Sequence, residues 1–169
     1  MTVIEEFLGK RVEIPDDLRY HIKQGLWVRP QNDDLIFGLT EPALILAGGI
    51  NSLDWLVSER QKVSEGDSIV FAITGKIVYI EAPAGGTVHF NNAAKENSIL
   101  LLEDPYGKGW LFKIKPEGKV ENEFKHFVTV RDYIESLKSS EGFKNPKGLK
   151  GGVSGICKAV YTGIREQKI

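Results

Sequence analysis

Short runs of β-branched and aromatic residues, separated by turn-forming residues, recur along the first two thirds of this chain. The runs IVFAIT and IVYIEAP, within residues 69–83, meet around Thr74, Gly75 and Lys76. Similar runs occupy residues 26–30, 35–40, 52–59, 85–91, 96–104 and 109–116. Short strands with Gly, Pro, Asn or Asp between them are typical of antiparallel barrels and sandwiches. The sequence therefore predicts a mainly β fold.

One short helix interrupts the strands near residues 41–48. Thr40 can cap the start of this helix, and Pro42 suits its first turn because that position needs no backbone N–H. Gly48 and Gly49 suit its end, since glycine readily adopts the left-handed conformation that closes a helix. The helix would follow directly on the strand at 35–40.

A second helix is predicted near residues 129–138. Thr129 can cap it, and apolar residues then recur at the spacing of one helix face. The members of that face are Val130, Tyr133, Ile134 and Leu137. We expect this amphipathic helix to pack against the β structure.

The character of the chain changes after Pro116, where the succession of short strands ends. Residues 118–169 form a helical and basic C-terminal extension. From Lys138 onward, seven Lys or Arg residues face two Glu. This end of the chain is either a solvated tail or a docking arm for an acidic partner surface. Its last fourteen residues, ICKAVYTGIREQKI, are predicted to form a short helix.

The overall composition indicates a soluble cytoplasmic protein. The chain has 169 residues and a formal net charge of −1, so nothing calls for nucleic acid or an anionic membrane as a partner. A single cysteine, Cys157, allows no internal disulfide and suits a reducing compartment. No apolar run approaches the roughly 18 residues of a membrane span, and the N-terminus has acidic residues where a signal peptide has basic ones.

Side chains suited to catalysis are not grouped in the sequence. The TGKI stretch fails as a phosphate loop because Val70 and Ile77 occupy positions that need Gly and Ser or Thr. The histidines His21, His89 and His126 are scattered, so a metal site has no support. These patterns favour a binding or carrier protein.

Lys76 is the most interesting residue of the predicted hairpin at 69–83. It is either a solvated turn residue or an attachment point for a group that amino acids cannot supply. The stretch VSEGDSIVFAITGK followed by EAPAGGTV, at residues 63–88, resembles the hairpin of lipoyl and biotin carriers. The surrounding sequence decides how far this resemblance extends.

Three further segments resemble the glycine cleavage system H-protein family. The stretch LLLEDPYGKGWLFKIKP at 100–116 is similar to a segment near the end of that family's domain. RYHIKQGLWVR at 19–29 resembles its opening strand, and FGLTEPALILAGGI at 37–50 resembles its glycine-terminated helix. Together they cover residues 19–117 in one order. The resemblance therefore implies an H-protein-like carrier domain at 19–117, preceded by an N-terminal segment at 1–18 and followed by the C-terminal extension at 118–169.

This resemblance implies a barrel-sandwich hybrid fold, with lipoate in amide linkage on Lys76. The protein would be a monomeric carrier, not itself an enzyme, that moves an aminomethyl group and reducing equivalents between partner enzymes. The implied partners are glycine decarboxylase, aminomethyltransferase, dihydrolipoyl dehydrogenase and a lipoate ligase. Acylation would remove the charge of Lys76, and the cofactor would supply redox chemistry that the chain lacks.

The hairpin departs from the family pattern around Lys76. The family has Glu-Ser-Val where this chain has Ile73-Thr74-Gly75, and the return to Pro83 is one residue shorter. Counting back from Pro83 puts Gly75 in the carrier position, whereas counting forward from Gly66 puts Lys76 there. We favour Lys76 because it is the only lysine in the hairpin.

Two alternatives to a glycine cleavage carrier follow from these departures. The chain could be an unmodified H-like binding or scaffold protein that works through its surface and basic tail. It could also carry lipoate for a heterodisulfide-reductase-like sulfur oxidation system. Biotin attachment is disfavoured because no methionine flanks Lys76.

Overall fold

The computed structural model describes residues 1–149 of the chain. The strands, in chain order, are β1 (Thr2–Phe7), β2 (Lys10–Ile14), β3 (Arg19–His21), β4 (Leu26–Gln31), β5 (Asp34–Leu39), β6 (Ser52–Trp55), β7 (Lys62–Val63), β8 (Ser68–Ile73), β9 (Ile77–Glu81), β10 (Gly86–Phe90) and β11 (Phe112–Lys115). The helices are α1 (Glu41–Leu46), α2 (Asn92–Glu96), α3 (Leu100–Glu103), α4 (Val120–Phe124), α5 (Val130–Leu137) and α6 (Glu141–Lys144).

The strands form three antiparallel sheets. The largest has six strands in the order β3-β4-β5-β11-β10-β7, and a smaller sheet has the order β6-β8-β9. The strands β1 and β2 form a separate hairpin at the N-terminal end. The predicted mainly β architecture is confirmed.

The main core lies between the six-stranded and three-stranded sheets. Successive side chains of a strand point to opposite faces, so every second residue of β4, β5 and β11 is turned inward. In β8 a register shift between Ser68 and Val70 buries two consecutive residues. The inward residues of the large sheet include Leu26, Val28, Leu35, Phe37, Phe112 and Ile114. Those of the small sheet include Ile69, Val70, Ala72 and Ile80.

A second core lies against β3, β4 and β5 on the other face of the six-stranded sheet. Trp27 and Ile36, which alternate with the inward residues, point into it. The N-terminal hairpin contributes Phe7, Val12 and Ile14, and α5 contributes Tyr133 and Leu137. Both flanking segments thus bury side chains together with the central sheet. The predicted division at residues 18 and 117 stays a prediction.

Tyrosine hydroxyls form hydrogen bonds that connect this second layer to neighbouring segments. The Tyr106 hydroxyl donates to the Glu13 carbonyl oxygen at 2.7 Å and accepts from the Glu41 amide at 3.0 Å. The Tyr133 hydroxyl lies 2.6 Å from Thr40 Oγ1, and burial raises the pKa of Tyr133 to about 12. Tyr133 also stacks on Tyr20 with ring centroids 4.7 Å apart. Each hydroxyl therefore fixes the position of one segment relative to another.

Both predicted helices are present with the predicted caps. Thr40 Oγ1 accepts a hydrogen bond from the Ala43 amide at 3.1 Å, and Gly48 beyond the end of α1 has a φ of 78°. Thr129 Oγ1 accepts from the Asp132 amide at 3.5 Å, and α5 packs its apolar face against the sheet as expected.

The strand predicted at 96–104 is wrong, because residues 100–103 form α3. The run of leucines lacks the alternation of a half-buried strand, and leucine favours helices. One turn of helix buries Leu101 in the main core and leaves Ile99 and Leu102 exposed. The strand predicted at 52–59 is also shorter than expected, since β6 ends at Trp55.

Some predictions fall on residues that the structure does not describe. Cys157 and the helix predicted for the last fourteen residues lie outside residues 1–149. Within residues 1–149, no helix is long and apolar enough to cross a membrane. The same part of the chain contains no cluster of three His, Cys, Asp or Glu side chains placed to hold a metal ion.

Substituting Gly38 tests the packing between the two cores. A Cβ atom at Gly38 would lie 2.6 Å from the indole ring of Trp27, which is fully buried, so Gly38→Ala forces one of them to shift. We expect the free energy of unfolding in urea to fall by about 1–3 kcal/mol. Gly75→Ala is the control, because a Cβ there meets nothing within 4 Å. Equal losses in both variants would contradict the packing described here.

Acid should weaken the fold through His21. Burial lowers the pKa of His21, and the nearby Glu65 only partly opposes this effect. Below the ordinary histidine pKa of about 6.5, the unfolded chain binds a proton that the folded chain resists. Stability should therefore decrease as the pH falls from 7.5 to 5.5, measured by urea unfolding. This decrease should be smaller in His21→Gln than in the wild type, while His126→Gln, which alters an exposed imidazole, should behave like the wild type. An unchanged pH dependence in His21→Gln would refute this role.

Candidate functional site: the Lys76 hairpin

Strands β8 and β9 form a hairpin that ends in a three-residue loop. Ile73 and Ile77 face each other across the last pair of the ladder, and Thr74, Gly75 and Lys76 connect them. Strand formation follows from the β-branched and aromatic residues on both arms. The hairpin therefore holds the loop at the end of two ordered strands.

Thr74 organises the loop through both its backbone and its side chain. Its amide donates to the Lys76 carbonyl oxygen at 2.8 Å. Its Oγ1 lies 3.2 Å from the same carbonyl oxygen and accepts from the Lys76 amide at 3.3 Å. Asn51 Nδ2 donates to the Thr74 carbonyl oxygen at 3.4 Å, which ties the loop to the segment before β6. The Thr74 side chain is buried, so the loop has a defined shape.

The Lys76 side chain is exposed at the tip of the hairpin. In the part of the chain that the structure describes, its hydrogen bonds run through its backbone N and O atoms, both to Thr74. Gly75 beside it is equally exposed. Gly75 and Lys76, the two candidates for the carrier position, thus both lie at the tip, and of the two only Lys76 has a side-chain amine.

The base of the hairpin is anchored to the body on the β6 side. Trp55 of β6 stacks on Phe90 of β10 with ring centroids 4.3 Å apart, and its indole N–H donates to Asn92 Oδ1 at 3.0 Å. Asp54 pairs with Lys95 at 2.8 Å. The hydrogen bond from Lys95, followed by that from the Trp55 amide, holds the pKa of Asp54 below its usual value.

The β9 side is anchored at its far end. The Gln24 side chain exchanges two hydrogen bonds of 3.2 Å with the backbone N–H and carbonyl groups of Glu81. Lys23 pairs with the Glu81 carboxylate at 3.0 Å. The tip is therefore the part of the hairpin that extends beyond its supports.

A cavity of about 320 Å³ lies between the inner side of the hairpin and α1. Most of its walls are apolar, and the Lys23–Glu81 pair lies at its rim. The apolar lining includes Leu39, Ala43, Ala47, Ile50, Ala72, Val78 and Ile80. An apolar group reaching inward from the hairpin would find a matching surface here.

The histidines of residues 1–149 lie apart from one another and from Lys76. His89 pairs with Glu59 at 2.7 Å on β10, whereas His21 packs edge-on against Phe127. His126 lies 3.8 Å from Glu123 on the surface. Among residues 1–149, the exposed Lys76 amine has no ion pair with an acidic side chain, whereas Lys23 and Lys95 are both paired.

Two features of the site were not found from the sequence. The double role of Thr74 could have been suspected, because Thr in a turn often bonds to nearby backbone groups. The cavity depends on how α1 packs beside β9, and no local pattern signals this.

Comparisons with known proteins agree with the architecture. The family model for glycine cleavage H-protein matches residues 18–140. A probable glycine cleavage system H protein 2 of Sulfolobus acidocaldarius is 34% identical over 131 residues, covering 75% of this chain and 86% of that protein. A glycine cleavage system H protein of Alteromonas mediterranea is 35% identical over 135 residues, covering 78% and 94%.

A solved structure supports the same relationship. The crystal structure of a glycine cleavage system H protein from Mycobacterium marinum superposes with a TM-score of 0.60 and 26% identity. It covers 72% of this chain and 97% of that one. The predicted barrel-sandwich hybrid fold is thereby confirmed. With a family match over residues 18–140, the chain belongs to the glycine cleavage H-protein family.

Proposed function

We propose that this protein is a lipoyl carrier of the glycine cleavage system, with lipoate in amide linkage on Lys76. The observation that carries the proposal is the exposed Lys76 amine at the tip of an anchored hairpin, in a chain of this family. The protein is then a cytoplasmic carrier component rather than an enzyme. Its partners are glycine decarboxylase, aminomethyltransferase, dihydrolipoyl dehydrogenase and the lipoate ligase that loads it.

The residues around Lys76 fit such a group. A lipoyl group supplies a disulfide that takes up an aminomethyl group and reducing equivalents, chemistry that the described side chains do not offer. Lys76 provides the attachment nitrogen, and Gly75 leaves open space beside it. Thr74 holds the loop in one shape, so the attached arm starts from a fixed position.

The cavity on the inner side of the hairpin supports the same proposal. An acylated lysine is neutral, so its arm can leave water for an apolar surface at little electrostatic cost. Ala47 and Val78 are among the apolar residues that line the space beside the hairpin. The carrier therefore has one position for its arm in solvent and one sheltered against its own body.

An unmodified binding protein remains the second candidate, and a specific observation favours it. Ile73, three residues before Lys76, occupies the position where the family has glutamate. Ile77, directly after Lys76, is exposed and apolar. A ligase that reads acidic residues would find none in the loop. The modification state of Lys76 decides between the two candidates.

Intact-mass measurement tests the attachment directly. Protein purified from native cells grown with lipoate should carry the mass of one lipoyl group, and fragmentation should place it on Lys76. Lys76→Arg, which keeps the positive charge, should abolish the added mass. Lys108→Arg changes an exposed lysine elsewhere and should leave it unchanged. An unmodified wild type in cells that contain lipoate and an active ligase favours the binding protein instead.

Thr74 should control how well Lys76 is acylated. Thr74→Val removes both hydrogen bonds of Oγ1 to the Lys76 backbone, while Thr74→Ser keeps a hydroxyl. A net loss of about 1 kcal/mol corresponds to a roughly fivefold lower rate of acylation. The measurement is single-turnover lipoylation by the cognate ligase, with thermal unfolding as the check on folding. Equal rates for the Val and Ser variants would remove Thr74 from this role.

A further inference from the structure

The outer face of the β6-β8-β9 sheet, which points away from the main core, is apolar next to Lys76. Ile77 is 56% exposed, Tyr79 is 57% exposed and Ile73 is 38% exposed. Phe71 on the same face is half-buried. Solvent-facing sides of antiparallel sheets are normally polar, so exposed apolar groups here need an explanation.

These four side chains form two adjacent rows across the hairpin. Ile73 faces Ile77 in the ladder, and Phe71 faces Tyr79 with ring centroids 6.5 Å apart. The isoleucine row directly borders the loop that holds Lys76. We call Phe71, Ile73, Ile77 and Tyr79 the outer hairpin face.

Charged groups that border this face are paired with each other. Asp54 faces Phe71 from β6, and its carboxylate is paired with Lys95 at 2.8 Å. Glu81, two residues beyond Tyr79 on β9, is paired with Lys23 at 3.0 Å.

The isoleucine row has a neutral neighbour on β6. Ser52 faces Ile73 and is uncharged. An apolar surface of a partner could therefore cover this row without burying a charge of β6.

We propose that the outer hairpin face is a docking surface for the proteins that act on Lys76. This inference rests on the proposed carrier function. The partner is an enzyme with an apolar rim around a narrow opening that admits the lysine side chain. Because Ile73 and Ile77 flank the loop on both strands, a protein that encloses Lys76 must also cover them.

The size of the face favours such a brief encounter over a stable dimer. Its exposed apolar area is roughly 300–400 Å², compared with about 800 Å² per partner in a stable interface. A second copy of the chain would therefore gain too little from this face alone. A carrier that visits several enzymes needs a contact of this modest size, since it must also leave.

The test is the kinetics of loading by the lipoate–protein ligase of the source organism, with lipoate and ATP. Ile73→Thr/Ile77→Thr removes apolar surface while threonine keeps β propensity. We expect the KM for this variant to rise about tenfold with kcat unchanged. Because the contact is apolar, the KM of the wild type should change little between 50 and 300 mM salt, concentrations that strongly alter screening.

Val3→Thr is the matched control. Val3 is a β-branched strand residue with 37% exposure, close to that of Ile73, and it lies in the N-terminal hairpin. Its KM should equal that of the wild type. Urea unfolding of all three proteins shows whether the substitutions leave the fold intact.

Each other outcome overturns the inference in a distinguishable way. If the ligase loads the wild type and the double variant has the same KM, the docking surface is refuted while the carrier function is supported. If the ligase cannot load the wild type, both the docking surface and the carrier function are refuted. A KM that rises equally in Val3→Thr, or that depends steeply on salt, rules out an apolar contact at this face. Gel filtration that shows a wild-type dimer broken by the double variant would assign the face to a second copy.

Discussion

The six-stranded sheet carries a hydrophobic core on each of its two faces, and this constraint shapes the rest of the molecule. One face meets the three-stranded sheet, and the other meets the N-terminal hairpin and α5. Trp27 shows how tightly the second contact is made. Its indole lies against Gly38, where no Cβ would fit, and its N–H donates to the Pro105 carbonyl oxygen at 2.9 Å. Both layers therefore pack against the same sheet.

Packing against the six-stranded sheet also holds the Lys76 hairpin in place. Its inner residues, such as Ala72 and Ile80, are part of the core, while its base is tied to β6 and to Gln24. Asn51 also holds the buried Thr74, so Gly75 and Lys76 are the loop residues that extend beyond these supports. Order in the strands and exposure of the tip are two results of the same packing, and a carrier needs both.

Local signals predicted the features that depend on a few neighbouring residues. The caps at Thr40 and Thr129 identified α1 and α5, because an N-cap hydroxyl acts within its own first turn. Turn residues between apolar runs identified the hairpin and the exposure of Lys76. The run at 96–104 failed because consecutive leucines suit a buried helix as well as a strand.

Features that depend on distant segments could not be predicted. The strands β1 and β2 belong to a segment that had no assigned structure, and their partner layer is α5, more than a hundred residues away. The hydrogen bond between Asn51 and the Thr74 backbone, and the cavity beside α1, likewise arise only after the sheets have packed. The strand pattern supplied the mainly β class and the resemblance to a known family the barrel-sandwich hybrid fold, whereas the outer hairpin face is a property of this chain's own residues.

The layer formed by β1, β2 and α5 has a practical consequence. It lies across the six-stranded sheet from the small sheet that bears Lys76. A label, an affinity handle or a solid support coupled to this rear layer would leave the lysine end free to face solution. The protein can thus be immobilised through β1, β2 or α5 while the Lys76 hairpin stays accessible.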